Sequence, residues 1–281
     1  MNMEAGGLLL ALSIPWVLFL LGFRKSWSDR DLLKAALSGF VGGALVVLPL
    51  KFLVYPLIQF LLGIDLRILI AESQELTVQV AGCMGIVGPI EETAKLVTVL
   101  SGLAWMGLIN RPAAVFLGAL AGGLGFALLE NLDYYSLVGW QVFVMREILC
   151  TAGHLGFSGL VGFGAAQALT VHGMRGFRGL VRGFSWLLGF LAIGSALHGL
   201  YDVMTFRLTQ ENAFWLLGCG VLFCLVILRE LWTRILVLDL LPERLSWACP
   251  GCGNRKAGRE RFCPSCGKRV QVVSTAEPVL A

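Results

Sequence analysis

The chain has 281 residues, of which 57% are hydrophobic and 14% charged, with a net charge of +4 and a mean hydropathy of +0.79. Soluble domains carry about 25% charged residues, so this composition excludes one or two soluble domains and requires apolar runs that cross a bilayer. No stretch mixes dense Lys and Arg with stacking aromatics, which excludes a nucleic-acid surface.

Seven apolar runs are predicted as spans of an all-α polytopic helical bundle: 8–23, 35–62, 76–106, 112–138, 141–171, 180–206 and 213–237. The first, Leu8 to Phe23, has only Glu4 as a charged residue before it, and Arg24-Lys25 follow it where a signal peptide would have a small-residue cleavage site. It is read as a retained span. The second contains Pro49, Lys51 and Pro56, which predicts a kink or break, and an intramembrane lysine that needs a partner, a cavity or an interface.

Glutamates and histidines enter with the third run, which contains Gly88-Pro-Ile-Glu91-Glu92-Thr-Ala-Lys95. At helical spacing Lys95 shares a face with Glu91 and lies near Glu92, so at least one carboxylate is paired and its neighbour is left for other work. Two adjacent acids resist simultaneous ionisation, which suits one of them to act as a general base; the competing reading is a salt-bridged packing element.

In the fourth run, Phe126-Ala-Leu-Leu-Glu130-Asn131 sets an acid beside an amide in an apolar helix. Arg146 and His154 fall on roughly one face of the fifth. The sixth carries His198-Gly-Leu-Tyr201-Asp202, where Asp202 at i+4 orients His198 or serves beside it. Such groups are expensive in hydrocarbon and point to a functional site, whereas interhelical bonding alone is served more cheaply by Ser, Thr or Asn. His172 lies in a basic loop and reads as solvated surface.

Lys and Arg gather after the first, third and fifth runs and at the seventh, and short loops rich in them stay cytoplasmic. The N-terminus is thereby predicted outside a plasma membrane and the C-terminus in the cytoplasm. Counted at about 1.5 Å per residue from Arg111 and Arg182, Glu130 and His198 sit toward the outer leaflet.

Three units follow: a transmembrane domain over 1–240, a small soluble domain over 245–270 and a tail over 271–281. The middle unit pairs Cys249-Pro-Gly-Cys252-Gly with Cys263-Pro-Ser-Cys266-Gly. Four thiolates on two tight turns make the closed tetrahedral shell of a structural zinc ribbon, and a reducing cytoplasm argues against disulfides. Cys83, Cys150, Cys219 and Cys224 are scattered in apolar runs and read as packing residues.

Glu91-Glu92-Thr-Ala-Lys95, Phe126-Ala-Leu-Leu-Glu130-Asn131, His154-Leu-Gly-Phe-Ser158 and His198-Gly-Leu-Tyr-Asp202 occur on successive runs. Together they resemble the PrsW family of intramembrane proteases, within the wider group that includes the CAAX prenyl endopeptidases. The resemblance covers about residues 75–205 and leaves the ribbon aside. It implies an endopeptidase that cuts a membrane-anchored protein, as an anti-sigma factor is.

Glu91 or Glu92 is then the base that activates water. His154 and His198 stabilise the oxyanion and shuttle the proton, with Glu130 and Asn131 positioning water or substrate. The alternative is a catalytic zinc on His154, His198 and a glutamate, although no His-Glu-x-x-His helix is present to favour it. Outside proteolysis, the same buried groups suit a proton- or ion-coupled transporter, or a silent scaffold that holds membrane partners.

Overall fold

The computed structural model describes residues 19, 21–138, 140–172, 177–207, 212, 218, 220, 222, 226–237, 239, 246–248, 252, 255–257 and 266. Most of the first run, much of the seventh, the tail, and Cys219, Cys224, Cys249 and Cys263 lie outside the described residues, as does the His172 side chain.

Helix α1, Arg30–Pro49, starts at Asp29, whose carboxylate accepts from the backbone N–H groups of Asp31 and Leu32 at 3.0 and 3.2 Å. A π-helical turn, Leu50–Val54, follows before α2, Tyr55–Leu62, which ends on Gly63 in the left-handed region at φ 68°. Helices α3, Leu66–Glu72, and α4, Leu76–Gly82, lead to a second π turn, Cys83–Val87, and then to α5, Gly88–Trp105. Both π turns stand just before a proline. Pro56 and Pro89 have no N–H for the carbonyls of Phe52 and Gly85, and the wider turn accommodates each missing bond.

Three long helices complete the bundle: α6, Pro112–Val138; α7, Trp140–His172; and α8, Phe177–Arg207. Their bounds lie within three residues of the runs read from hydropathy. Helix α6 is central, packing on α1 and α7, while α8 packs on α7 and α5 fits against α1, α6 and α8. Ala113, Val115, Phe116, Leu117, Leu120 and Leu124 of α6 are fully or almost fully buried, and Trp232 of the helical stretch 226–237 stacks on Phe116.

Among the described residues, four helical segments are long and apolar enough to cross a membrane: Arg30–Leu62, Pro112–Tyr135, Arg146–Thr170 and Phe177–Arg207. The outward faces of α1 and α8 expose Leu37, Val41, Leu45, Phe184, Leu188 and Leu197, which suits a hydrocarbon surround. The expected span 76–106 is helical on both sides of its π turn, and Glu91, Glu92 and Lys95 make it the most polar of the inner helices. Beyond the bundle, β1, Ser246–Ala248, pairs antiparallel with β2, Arg255–Ala257, within the expected ribbon.

Glycine allows two approaches that matter for the site. A Cβ on Gly199 of α8 would stand 2.4 Å from the Met84 Cα, and one on Gly88 would stand 2.3 Å from the Ser195 carbonyl oxygen. With no side chain at either place, α8 lies backbone to backbone against the second π turn, and His198 faces the start of α5.

Candidate active site

Glu91 and Glu92 occupy the first turn of α5, directly after the second π turn and Pro89. They meet His198 from α8, His154 and Ser158 from α7, Glu130 from α6 and Tyr55 from the first turn of α2. The first π turn brings Tyr55 in, and the second brings in the acids.

The two adjacent glutamates differ sharply. Glu92 is 1% exposed and both its oxygens are taken: Oε1 accepts from Lys95 Nζ at 2.7 Å and lies 3.0 Å from His198 Nδ1, while Oε2 accepts from the Ser158 hydroxyl at 2.9 Å. Glu91 accepts from the Tyr55 hydroxyl through Oε1 at 2.8 Å. Its Oε2 is buried with no hydrogen bond, 3.6 Å from His198 Nε2. An unbonded carboxylate oxygen in a protein interior is costly, so this one faces a place where a polar molecule belongs.

His154 has both ring nitrogens engaged. Lys95 carries only donors and reaches Nδ1 at 2.9 Å, so Nδ1 accepts and Nε2–H donates to Glu130 Oε2 at 2.9 Å. His198 turns Nδ1 to Glu92 and leaves Nε2 toward Glu91 and toward Asp202, whose Oδ2 is 3.8 Å away. The two imidazoles lie edge to face with centroids 4.8 Å apart, Phe157 stacks on His198 at 5.2 Å, and the Lys95 ammonium sits 3.9 Å over the Phe126 ring.

A supporting layer lies behind Glu130. Arg146 donates to Glu130 Oε2 at 2.9 Å and to Asn131 Oδ1 at 3.1 Å, and the Asn131 amide donates to Glu147 at 3.3 Å and Thr151 at 3.1 Å. Lys51, on the first π turn, pairs with Asp133 of α6. Of the partner, cavity or interface that its place in an apolar run called for, Lys51 has a partner.

Of the residues singled out from sequence, Glu91, Glu92, Glu130, His154 and His198 form one connected cluster. Asp202 borders it beyond hydrogen-bond reach, and Asn131 belongs to the layer around Arg146. Cys83 packs among Leu66, Ile70 and Val203 as expected of a core cysteine. Cys150 instead lies 3.3 Å from Arg146 and 3.7 Å from Glu130, within the polar network. Cys252 and Cys266 are exposed, each in a turn.

Tyr55, Thr151 and Glu147 belong to no motif of the sequence, and Ser158 only ends the one that begins at His154. Glu147 carried the same signal as the others, a charge in an apolar helix. Tyr55 carried none, because a tyrosine in an apolar run is ordinary.

Two trios hold donor types that suit a divalent metal. Glu92, His154 and His198 bring ligand atoms within 4.8 Å of one another, as do Glu130, Cys150 and His154. Each trio already closes on a protein cation, Lys95 between Glu92 and His154, and Arg146 between Glu130 and Cys150. Metal binding in the first would strip Lys95, 2% exposed, of its counter-charge beside a dication, at a cost of several kcal/mol. With these cations in place the trios do not fit a metal ion.

The sequence model of a family described as PrsW family intramembrane metalloprotease matches residues 32–230, well over half of the chain and all of the cluster above. No curated protein and no solved structure matches the chain.

Proposed function

Since the chain belongs to the PrsW family of intramembrane proteases, we propose that it cleaves a membrane-anchored protein with a water molecule that Glu91 activates. The observation that carries this reading is the contrast between the two glutamates. Glu92 has no oxygen to offer, whereas Glu91 Oε2 is buried, unbonded and directed toward His198 Nε2.

A water beside these two atoms gives its proton to Glu91 Oε2 as its oxygen attacks the scissile carbonyl. His198, held through Nδ1 by Glu92, offers Nε2 to the reacting centre. Protonated, it donates to the developing oxyanion; neutral, it accepts a proton. The proton on Glu91 then passes to the leaving amine, which returns the carboxylate. Tyr55 keeps Oε1 out of the exchange, and His154, Lys95 and Glu130 hold Glu92 and the ring edges in place.

The substrate class is a membrane-anchored protein of the anti-sigma-factor kind. Helix α6 runs unbroken from Pro112 to Val138, so Glu130 lies about 28 Å from Arg111 at about 1.5 Å per residue. The arginine-rich loops belong on the cytoplasmic side of a plasma membrane, which opens the cluster toward the outer half of a seven-span bundle. The 245–270 unit carries a structural zinc on Cys249, Cys252, Cys263 and Cys266, a reading the paired strands and the two exposed turn cysteines support.

The test is mass-spectrometric mapping of new protein N-termini in cell membranes that contain the full-length chain or a variant at matched level. Glu91→Gln is expected to abolish the cleavages that the unaltered chain produces, a loss of at least about a hundredfold. Cleavage at the unaltered rate in Glu91→Gln would remove Glu91 as the base.

A further inference from the structure

The family to which the chain belongs is described as metalloproteases, yet both donor trios of the cluster are filled by side-chain cations. In the first, the ammonium of Lys95 makes one hydrogen bond to Glu92 Oε1, one to His154 Nδ1, and lies over the face of Phe126. An ammonium has three protons, and these three partners use them all. In the second, the Arg146 guanidinium reaches Glu130 Oε2, Cys150 Sγ and Asn131 Oδ1 and lies 3.7 Å from the ring centroid of Tyr134. Both cations are bonded on every side by groups from two or more helices.

His154 ties the trios together. Its Nδ1 lone pair, the atom a metal would take, is occupied by Lys95, and its Nε2 proton is bound to Glu130. A ligand imidazole needs one free lone pair, and here neither nitrogen has one. The glutamate of the trio is in the same position, with three donors on its two oxygens.

We propose that Lys95 and Arg146 are the resident cations of this site, standing where a divalent metal would stand, and that the positive charge of Lys95 excludes metal from Glu92, His154 and His198. The proposal rests on the reading of the cluster as the hydrolytic centre and deepens it. Lys95 acts as a positioning residue: it sets the His154 tautomer and holds Glu92, and through Glu92 it directs His198 Nε2 toward Glu91. Lysine supplies the fixed charge without opening a coordination position, so the water is left to the glutamate.

Metal content measures this without a substrate. Full-length protein, purified in lipid nanodiscs, dialysed against excess zinc and then freed of unbound zinc, is compared with His154→Ala by elemental analysis. Zinc held by the cysteine ribbon is common to both, so the difference reports the membrane site alone. The expected result is equal zinc per chain in the two. In Lys95→Met, which removes the charge and keeps the apolar stem over Phe126, the trio is freed. About one further equivalent is then expected, lost again in Lys95→Met/His154→Ala.

About one equivalent more in the unaltered chain than in His154→Ala would overturn the proposal. So would a properly folded Lys95→Met that gains none, because the charge would then not be what excludes the ion. If Lys95→Met does not fold, Lys95→Gln serves, and the comparison of the unaltered chain with His154→Ala stands without either. Zinc content and cleavage are separate readouts: failure of Glu91 as base leaves the zinc count unchanged, and a site zinc leaves the N-terminus mapping to be judged by itself.

Discussion

The hydroxyl of Tyr55 leaves Glu91 with one oxygen to offer, since Oε1 accepts from it and Oε2 is bare. Tyr55→Phe removes that donor and almost no volume. Folding and abundance are expected to hold while turnover of a cleaved membrane substrate falls about tenfold to a hundredfold with KM little changed, because the loss is in the orientation of the base. An unchanged kcat would make the contact incidental. Glu92→Gln is predicted to behave differently. It leaves the Lys95 ammonium buried against a neutral amide, so the loss is one of stability, about 3–5 kcal/mol, read as a lower unfolding midpoint that Glu91→Gln does not share. The sequence made the acids and histidines visible because each is a cost in hydrocarbon. Which glutamate takes Lys95 was not visible: i, i+3 and i, i+4 are both within reach on a helix, and Ser158 and His198, which decide it for Glu92, come from other helices.

At the scale of elements, long apolar runs read well because hydropathy reports them directly, and α6, α7 and α8 begin and end near the residues expected. The run 76–106 read less well. Its hydropathy is continuous, but Pro89 interrupts the bonding and the structure answers with a π turn at Cys83–Val87. The same proline logic did point to a break near Pro49 and Pro56, where the other π turn lies. The glycines of α6, Gly118 and Gly122 among them, suit close helix packing by their residue type, but the sequence does not say which helix they meet. A Cβ on Gly43 of α1 would stand 1.9 Å from the Gly122 carbonyl oxygen of α6, and one on Gly39 would stand 2.1 Å from that of Gly118. Gly43→Ala must therefore part α1 from α6 and is expected to destabilise by about 1–3 kcal/mol. Gly189 of α8 has open space where its Cβ would be, so Gly189→Ala is expected to be neutral or stabilising by up to about 1 kcal/mol. Thermal unfolding of the two variants side by side checks the pairing of α1 with α6, and equal midpoints would contradict it.

For the molecule as a whole, one ionic junction fastens three distant parts of the chain at the basic end of the bundle. Arg111, between α5 and α6, holds both oxygens of Asp29 at 2.9 and 2.6 Å and reaches Asp239 at 3.0 Å. Asp239 also accepts from the Ala113 backbone N–H at 3.2 Å, capping the start of the central helix. Asp239, which precedes the C-terminal strands, is thereby tied to α1 and α6 together. The hydrogen bond from Arg111 lowers the Asp29 carboxyl from 3.8 to about 2, and Asp29 in turn raises the Arg111 guanidinium. The Asp29 value is lower in the folded chain than in the unfolded one. Its contribution to stability is therefore complete above 3.8 and is lost as the pH falls through about 2. The pair is about one-third exposed and screened, so the effect is modest, and sodium chloride weakens it. Arg111→Gln cuts the junction at all pH values. It is expected to lower the unfolding midpoint at neutral pH and to flatten its further decline between pH 3.8 and about 2 relative to the unaltered chain. Parallel declines in the two proteins across that window would show that the junction contributes nothing to stability there, and that the stretch 226–237 is held by the apolar packing around Trp232 instead.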